Sequence, residues 1–348
     1  MTLLDVQNVS IEYKTEDGVL RAVDDVSFTL KVGESMGLVG ESGCGKTTMA
    51  KSIMRLLAKN GRISEGKMLF KGEDLVTKSD EEIRKIRLNE IAMVAQSAMN
   101  ALNPVQTVGD QIMDGIQIHR KISRKEAMER AVEVFEMVGL EAKRLKSYPH
   151  QMSGGMKQRA IIAMALTLNP SLIIADEPTT ALDVVVQDRI LQQVVEIQKK
   201  IESSMILITH DISVVSETCE TMIVMYGGKV MEKASTRNFF TKPFHPYSLG
   251  LNNAFPSIHE IGEELISIPG APPNLMKVQT GCRFNERCPF RTDLCINEIP
   301  ELEEVAPDHF SACHYNKDVE KFREACKKRE TWEKVRGRII ENLRRDGE

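Results

Sequence analysis

Eight consecutive residues, Gly40, Glu41, Ser42, Gly43, Cys44, Gly45, Lys46 and Thr47, have the spacing of a loop that wraps phosphate. Its glycines let the backbone curl, so that successive N–H groups from Gly40 through Thr48 converge on an anion. Lys46 can reach the β- and γ-phosphates of a nucleotide, and Thr47 can offer its hydroxyl to Mg²⁺. Ser42 and Cys44 contribute backbone to the cradle; the Cys44 thiol is read as a passive small side chain.

A second constellation is "SLIIADEP" at 171–178. Four apolar residues predict a buried parallel strand with Asp176 and Glu177 at its carboxyl end, where open α/β sheets bind ligands. An acid there can hold Mg²⁺, and the next can polarise an attacking water. Two acids after a strand are equally well explained as an exposed turn. The phosphate loop upstream is what makes the pair specific. "SMILITHD" at 204–211 predicts a third strand of this kind, which would deliver His210 toward the γ-phosphate.

Ser153-Gly154-Gly155 opens a further helix and is a second phosphate-ready terminus. One nucleotide cannot easily use both termini of one chain. Two subunits arranged head to tail, each lending its serine–glycine turn to the other's nucleotide, solve this.

Four cysteines, Cys282, Cys288, Cys295 and Cys313, follow a C-x5-C-x6-C-x17-C spacing. In a reducing compartment such a set points to a metal before a disulfide. Zinc knuckles are tighter than this. The wide spacing suits an iron–sulfur cubane on four thiolates, with zinc or unmetallated thiols as the alternatives. Cys219 and Cys326 lie outside the set and read as ordinary residues, and His314 as structural.

These residues need a scaffold of α/β type. Residues 3–13 alternate and predict an edge strand; 24–35 predict a second strand that turns at Gly33; "MGLV" at 36–39 predicts a buried strand feeding the loop and its amphipathic helix. From 237 onward, proline- and glycine-rich stretches predict ordered loops between short elements. The last ~30 residues predict an amphipathic helix, with Val319, Phe322 and Cys326 on one stripe and Trp332, Val335, Ile339 and Leu343 on another. A solvated helix packed on the body or a partner is the main expectation for it, and a basic helix on anionic lipid the sharper one.

The chain has 348 residues, 28% of them charged, and a net charge of −4, which argues against bulk electrostatic binding of nucleic acid. Its longest apolar run, 160–168, falls far short of the ~20 residues of a membrane span. The opening "MTLLDVQNVS" lacks the basic-then-apolar pattern of a signal peptide. A cytoplasmic location is expected.

Together, Lys46, Asp176, His210 and the "SGG" helix start resemble the nucleotide-binding subunit of ATP-binding cassette transporters. The resemblance implies ATP and Mg²⁺ as ligands. It implies a cassette over 1–240, built of a parallel-sheet core, an antiparallel β subdomain and a helical subdomain inserted over about 97–165. Gln96 then resembles the glutamine that senses the γ-phosphate and Mg²⁺ and contacts the membrane subunit. Asp183 resembles the aspartate that crosses the dimer interface, and Tyr13 the aromatic that stacks on adenine. Catalytic roles fall to Glu177, His210 and Gln96. Met156 stands where the family usually has Gln, which in the peptide-importer branch marks one of two paralogous ATPase subunits.

The "HPYSLGL" and "IPGAPPNL" stretches followed by cysteines resemble the C-terminal extension of dipeptide and oligopeptide importer ATPases. That resemblance implies a small, loop-rich, metal-binding extension over 241–316 holding a [4Fe–4S] cluster, followed by a charged helical tail over 317–348. It also implies two membrane permease subunits, a second ATPase subunit and, indirectly, an extracytoplasmic solute-binding protein. Importers of oligosaccharides or nickel resemble the same branch. A soluble cassette ATPase acting on DNA or ribosomes is disfavoured, because only 57 positions separate Gln96 from Ser153 and there is one phosphate loop.

Overall fold

The structure, a computed structural model, describes residues 1–96, 101–178, 184–254, 266–277 and 279–346. The chain opens with two long strands, β1 (Thr2–Thr15) and β2 (Gly18–Lys31), then β3 (Ser35–Val39), α1 (Lys46–Ile53), β4 (Gly61–Phe70), β5 (Glu73–Asp74), α2 (Asp80–Ile86) and β6 (Ile91–Val94). Three helices follow: α3 (Val108–His119), α4 (Arg124–Met137) and α5 (Gly154–Leu166). The chain re-enters the core as β7 (Leu172–Asp176), α6 (Val184–Lys200), β8 (Ser204–Ile208), α7 (Ile212–Thr218), β9 (Thr221–Tyr226) and β10 (Lys229–Ser235). The remainder forms α8 (Thr236–Thr241), α9 (Pro246–Asn253), α10 (Asp293–Asn297), β11 (Glu303–Ala306), β12 (His309–Ser311), α11 (Val319–Cys326) and α12 (Arg329–Asp346).

Two sheets result. The antiparallel one runs β2-β1-β4-β5, and the larger one β11-β12-β10-β9-β3-β8-β7-β6. β1 is paired on both sides, with β2 and with β4. The edge position expected from its alternation goes instead to β2 and β5. β4 escapes notice because its polar "ISEGK" weakens the apolar alternation. In the large sheet, β6, β7, β8, β3 and β9 run parallel. β3, β7 and β8 are buried along their whole length, which is why they read as continuous apolar runs.

The side-chain period of 2 splits these strands between two cores. Leu172, Ile174, Ile206 and Ile208 face α1 and the antiparallel sheet. Ile173, Ala175, Met205 and Leu207 face the helices on the other side. Gly37 in β3 is required there, because a Cβ would meet Val215 of α7 at 2.2 Å.

The C-terminal extension departs from a loop-rich appendage. Its β11–β12 hairpin continues the core sheet through β12 and β10, pairing Ser311 with Glu232. Glu232 is fully buried and accepts from the Phe244 N–H (2.9 Å) and the His245 N–H (2.8 Å), and it pairs with His309 Nε2 (2.6 Å). The tail forms two helices, α11 and α12. Val319, Phe322, Cys326, Trp332 and Val335 are buried, as their stripes predict. Trp332 Nε1 donates to the Cys326 carbonyl at 2.9 Å, across the break between the helices. The Leu343 side chain lies outside the described residues. Among the described residues, no helix is long and apolar enough to cross a membrane.

Candidate active site

β3 delivers the chain into the phosphate loop, and α1 begins at Lys46 with no side-chain cap on its N–H groups. Those groups face the loop mouth, where an anion can satisfy them. Gly40, Gly43 and Gly45 have φ of 144°, 80° and 106°. At Gly40 a Cβ would strike the Met225 carbonyl at 2.1 Å, so glycine is required there on two counts. Lys46 Nζ donates to the carbonyls of Gly40 (2.7 Å) and Glu41 (2.9 Å). Cys44 is buried, and burial pushes its thiol above the ordinary value despite the neighbouring Lys46 ammonium, which fits the passive role. Ser42 and Gly43 are exposed on the loop's outer turn, and Thr48 is half-buried in α1.

Asp176 ends β7 beside the loop, and Thr47 Oγ1 donates to its Oδ1 at 3.0 Å. Asp176 Oδ2 is buried and has no hydrogen-bond partner. Burial raises the Asp176 carboxyl above the ordinary range, and the Glu177 carboxylate adds to the rise. A buried acid with one orphaned oxygen next to a threonine hydroxyl suits a hard divalent cation, so these residues fit Mg²⁺.

Glu177 follows with φ of 46°, a left-handed conformation that non-glycine residues rarely adopt. Its backbone N–H donates to the Ile208 carbonyl of β8 at 2.8 Å, which fixes the turn. Gln96, just past β6, donates from Nε2 to Glu177 Oε2 at 2.7 Å. His210, just past β8, places Nδ1 3.4 Å from Glu177 Oε1. Three adjacent parallel strands thus bring Gln96, Asp176, Glu177 and His210 to one edge of the phosphate loop.

Ser153 caps α5 by accepting from the Met156 N–H at 3.3 Å; Ser153 and Gly154 are exposed and Gly155 half-buried. This turn serves its own helix and leaves an exposed face. The Met156 side chain packs partly buried against the core. Gln158, two residues on, is buried and donates to the Pro178 carbonyl just after Glu177. Tyr13 lies partly buried in β1 over Gly61, where a Cβ would meet its ring at 2.5 Å. Asp183 lies outside the described residues.

The cysteine segment lies about 240 residues after the phosphate loop in the chain. The fold brings it to the loop. Arg287 Nη1 and Nη2 hold the two carboxylate oxygens of Glu41 at 2.7 and 2.9 Å. The Glu41 N–H donates to Tyr247 Oη at 3.0 Å. Nearby, Arg283 pairs with buried Asp24 of β2. Burial tends to raise the Asp24 carboxyl, but Lys229, Arg283 and Arg21 outweigh it and hold the carboxyl below its ordinary value. Sequence reasoning missed these residues, since Arg287 lies among cysteines and Tyr247 in the "HPY" turn.

The four cysteines line one common cavity beside Phe284 and Phe290. Burial pushes the Cys282 thiol up to about 12 and that of Cys313 up to about 11, and it raises Cys288 as well. The Tyr315 N–H donates to Cys313 Sγ at 3.4 Å, and the Cys282 N–H donates to the Cys295 carbonyl at 2.8 Å. Among the described residues, no three His, Cys, Asp or Glu side chains are close enough to share a single metal ion. Four thiols thus line one cavity, and the sulfur of Cys313 accepts from a backbone N–H.

A phosphate loop, paired acids on a neighbouring strand and a serine-capped helix on one mixed sheet define an ATP-binding cassette ATPase. Residues 23–180 match the family "ABC transporter", and residues 231–295 match "Oligopeptide/dipeptide transporter, C-terminal region". The chain is 44% identical to the oligopeptide transport ATP-binding protein OppD of Escherichia coli, over 89% of this chain and 92% of that protein. It is 45% identical to the dipeptide transport ATP-binding protein DppD of Bacillus subtilis, over 89% of this chain and 94% of that one. Its fold matches the dimeric post-hydrolysis structure of the ATP-binding cassette MJ0796 bound to ADP and Pi, with TM-score 0.61 and 31% identity over 67% of this chain and 99% of that chain. The chain belongs to the ABC transporter ATP-binding proteins, in the branch that carries the oligopeptide/dipeptide C-terminal region. It is an ATP-hydrolysing enzyme coupled to transport.

Proposed function

We propose that this chain powers the import of oligopeptides or dipeptides as one of two ATPase subunits. The two subunits dock on a pair of membrane permease subunits at the cytoplasmic face of the membrane. The observation that carries the reading is the convergence of Gln96, Glu177 and His210 on one edge of the Lys46 loop, in a chain that also carries the peptide-transporter extension.

Within this reading, the N–H groups of Gly43 through Thr48 and the Lys46 ammonium bind the phosphates, and Tyr13 stacks on the adenine. Thr47, Asp176 and Gln96 hold Mg²⁺, which when bound neutralises charge on the β- and γ-phosphates. Glu177, fixed between Gln96 and His210, orients the attacking water and takes up its proton, and His210 stabilises the γ-phosphate. Ser153, Gly154 and Gly155 complete the partner's ATP site. The exposed Ser153 turn supports this assignment. The Met156 variant supports a paralogous partner and hence a heterodimer. An extracytoplasmic solute-binding protein supplies the peptide from the far side.

Cys282, Cys288, Cys295 and Cys313 hold a [4Fe–4S] cluster in this reading, supported by the one cavity that all four line. Anaerobically purified protein is expected to contain four irons and four sulfides per chain by the family's cluster type, and stoichiometric zinc in colourless protein refutes the assignment.

The function is tested by reconstituting the chain with its permeases, partner ATPase and binding protein in proteoliposomes. ATP-dependent uptake of a radiolabelled tripeptide is the expected result. Uptake of an oligosaccharide or nickel in place of peptide overturns the assignment of substrate.

A further inference from the structure

We propose that Arg287 is a positioning residue of the ATP site, bracing the phosphate loop from outside through Glu41. The C-terminal extension is thereby part of the nucleotide-binding machinery. The proposal rests on the Lys46 loop being the ATP site and is independent of the transported solute.

Arg287 sits in the short turn between Cys282 and Cys288, and only 4% of its side chain is exposed. All five of its N–H donors are committed. Nε donates to the Pro269 carbonyl (2.9 Å), Nη1 to Glu41 Oε2 (2.7 Å) and Tyr226 Oη (3.1 Å), and Nη2 to Glu41 Oε1 (2.9 Å) and the Ile268 carbonyl (3.3 Å). Such a guanidinium has nothing left for a ligand. It is a rigid fork, and what it holds is the second residue of the phosphate loop.

Glu41 is equally committed. Its carboxylate is held by Arg287, its N–H by Tyr247 Oη (3.0 Å), and its carbonyl accepts from Lys46 Nζ (2.9 Å) and the Cys44 N–H (3.3 Å). The carbonyl that orients the phosphate-binding lysine therefore belongs to the residue the extension grips. The brace has two effects on ATP. It pre-organises the loop, which lowers the ordering cost of binding. It also neutralises a carboxylate that would otherwise stand, uncompensated, at the rim of a site for a polyanion.

The test is equilibrium titration of the full chain with ATP and Mg²⁺, with thermal unfolding as a check on folding. Arg287→Gln is expected to raise the Kd for ATP about tenfold, and adding Glu41→Gln to that variant to recover most of the loss, since it removes the stranded carboxylate. A folded Arg287→Gln protein whose Kd stays within about twofold of the wild type overturns the proposal. So does a double variant that binds ATP more weakly than Arg287→Gln alone, because Arg287 and Glu41 would then act on ATP separately and not as one brace. If Arg287→Gln does not fold, Tyr247→Phe decides. It removes only the hydroxyl that accepts from Glu41, and it too is expected to weaken ATP binding severalfold; an unchanged Kd overturns the brace. A wild-type chain that fails to bind ATP would refute the ATP site itself, an outcome distinct from all of these.

Discussion

The Gln96 amide donates to the Glu177 carboxylate at 2.7 Å, joining the residues that leave two neighbouring parallel strands. Gln96 begins the path into the helical insertion, whereas Glu177 stands at the core strand that also carries Asp176. A displacement of Gln96 is therefore felt directly at the acid beside the phosphate site. In the proposed assembly, this contact is the route by which a docked membrane subunit would act on the nucleotide site.

Glu177→Gln keeps the size and the hydrogen bond to Gln96 but cannot take a proton from water. Phosphate release is expected to fall by about two to three orders of magnitude. ATP should still bind and be retained, as a filter-binding assay would show. Normal turnover would remove Glu177 from the reaction.

Asp176 carries a carboxyl whose folded value is raised by burial and by Glu177. A raised carboxyl opposes folding when ionised. The penalty is absent below the unfolded carboxylate range, grows as pH rises, and is complete only above the folded value. Asp176→Asn is therefore expected to raise the melting temperature of the nucleotide-free protein by on the order of 2 °C at pH 7. The same variant should lose the stabilisation that Mg²⁺-ATP gives the wild type. Calorimetry with and without ligand reads both effects, and a lower melting temperature in the nucleotide-free variant would contradict the first.

Gln158 is buried in the helix that Ser153 opens, and it donates to the carbonyl of Pro178. Gln158→Leu removes the donor and strands that carbonyl, at a cost of about 1–3 kcal/mol in unfolding free energy. Denaturant titration checks this; an unchanged midpoint would mean the carbonyl finds another donor.

Glu232→Ala withdraws the acceptor from the part-buried Phe244 N–H, the buried His245 N–H and His309. A loss of about 3–5 kcal/mol is expected, concentrated where the extension joins the core. Limited proteolysis should then cut between α8 and β11 before it cuts the cassette.

The sequence was most informative where chemistry constrains spacing. The Lys46 loop, Asp176, Glu177 and His210 are legible because glycine, lysine and strand-end acids must recur at fixed offsets. β7 and β8 are legible because burial on both faces makes them apolar throughout. β1 was legible as a strand but not as an inner one, since its second partner, β4, is polar. The β9–β10 pair turns at Gly227-Gly228, a hairpin signal in a stretch that had no chemistry to draw notice. Cysteine spacing announced a common site for Cys282, Cys288, Cys295 and Cys313. It could not announce what Arg287 touches, because a contact between residues 41 and 287 leaves no local pattern.

The hairpin of β11 and β12 lies against β10, at the end of the sheet whose middle strand feeds the phosphate loop. Without it, β10 would present a row of unpaired backbone groups to solvent, a template on which other chains polymerise. Cutting the chain after residue 240 to obtain a minimal cassette would expose that row and strand Glu232 at once. What looks detachable in the linear chain is thus the selvedge that covers β10 at Glu232 and Lys233.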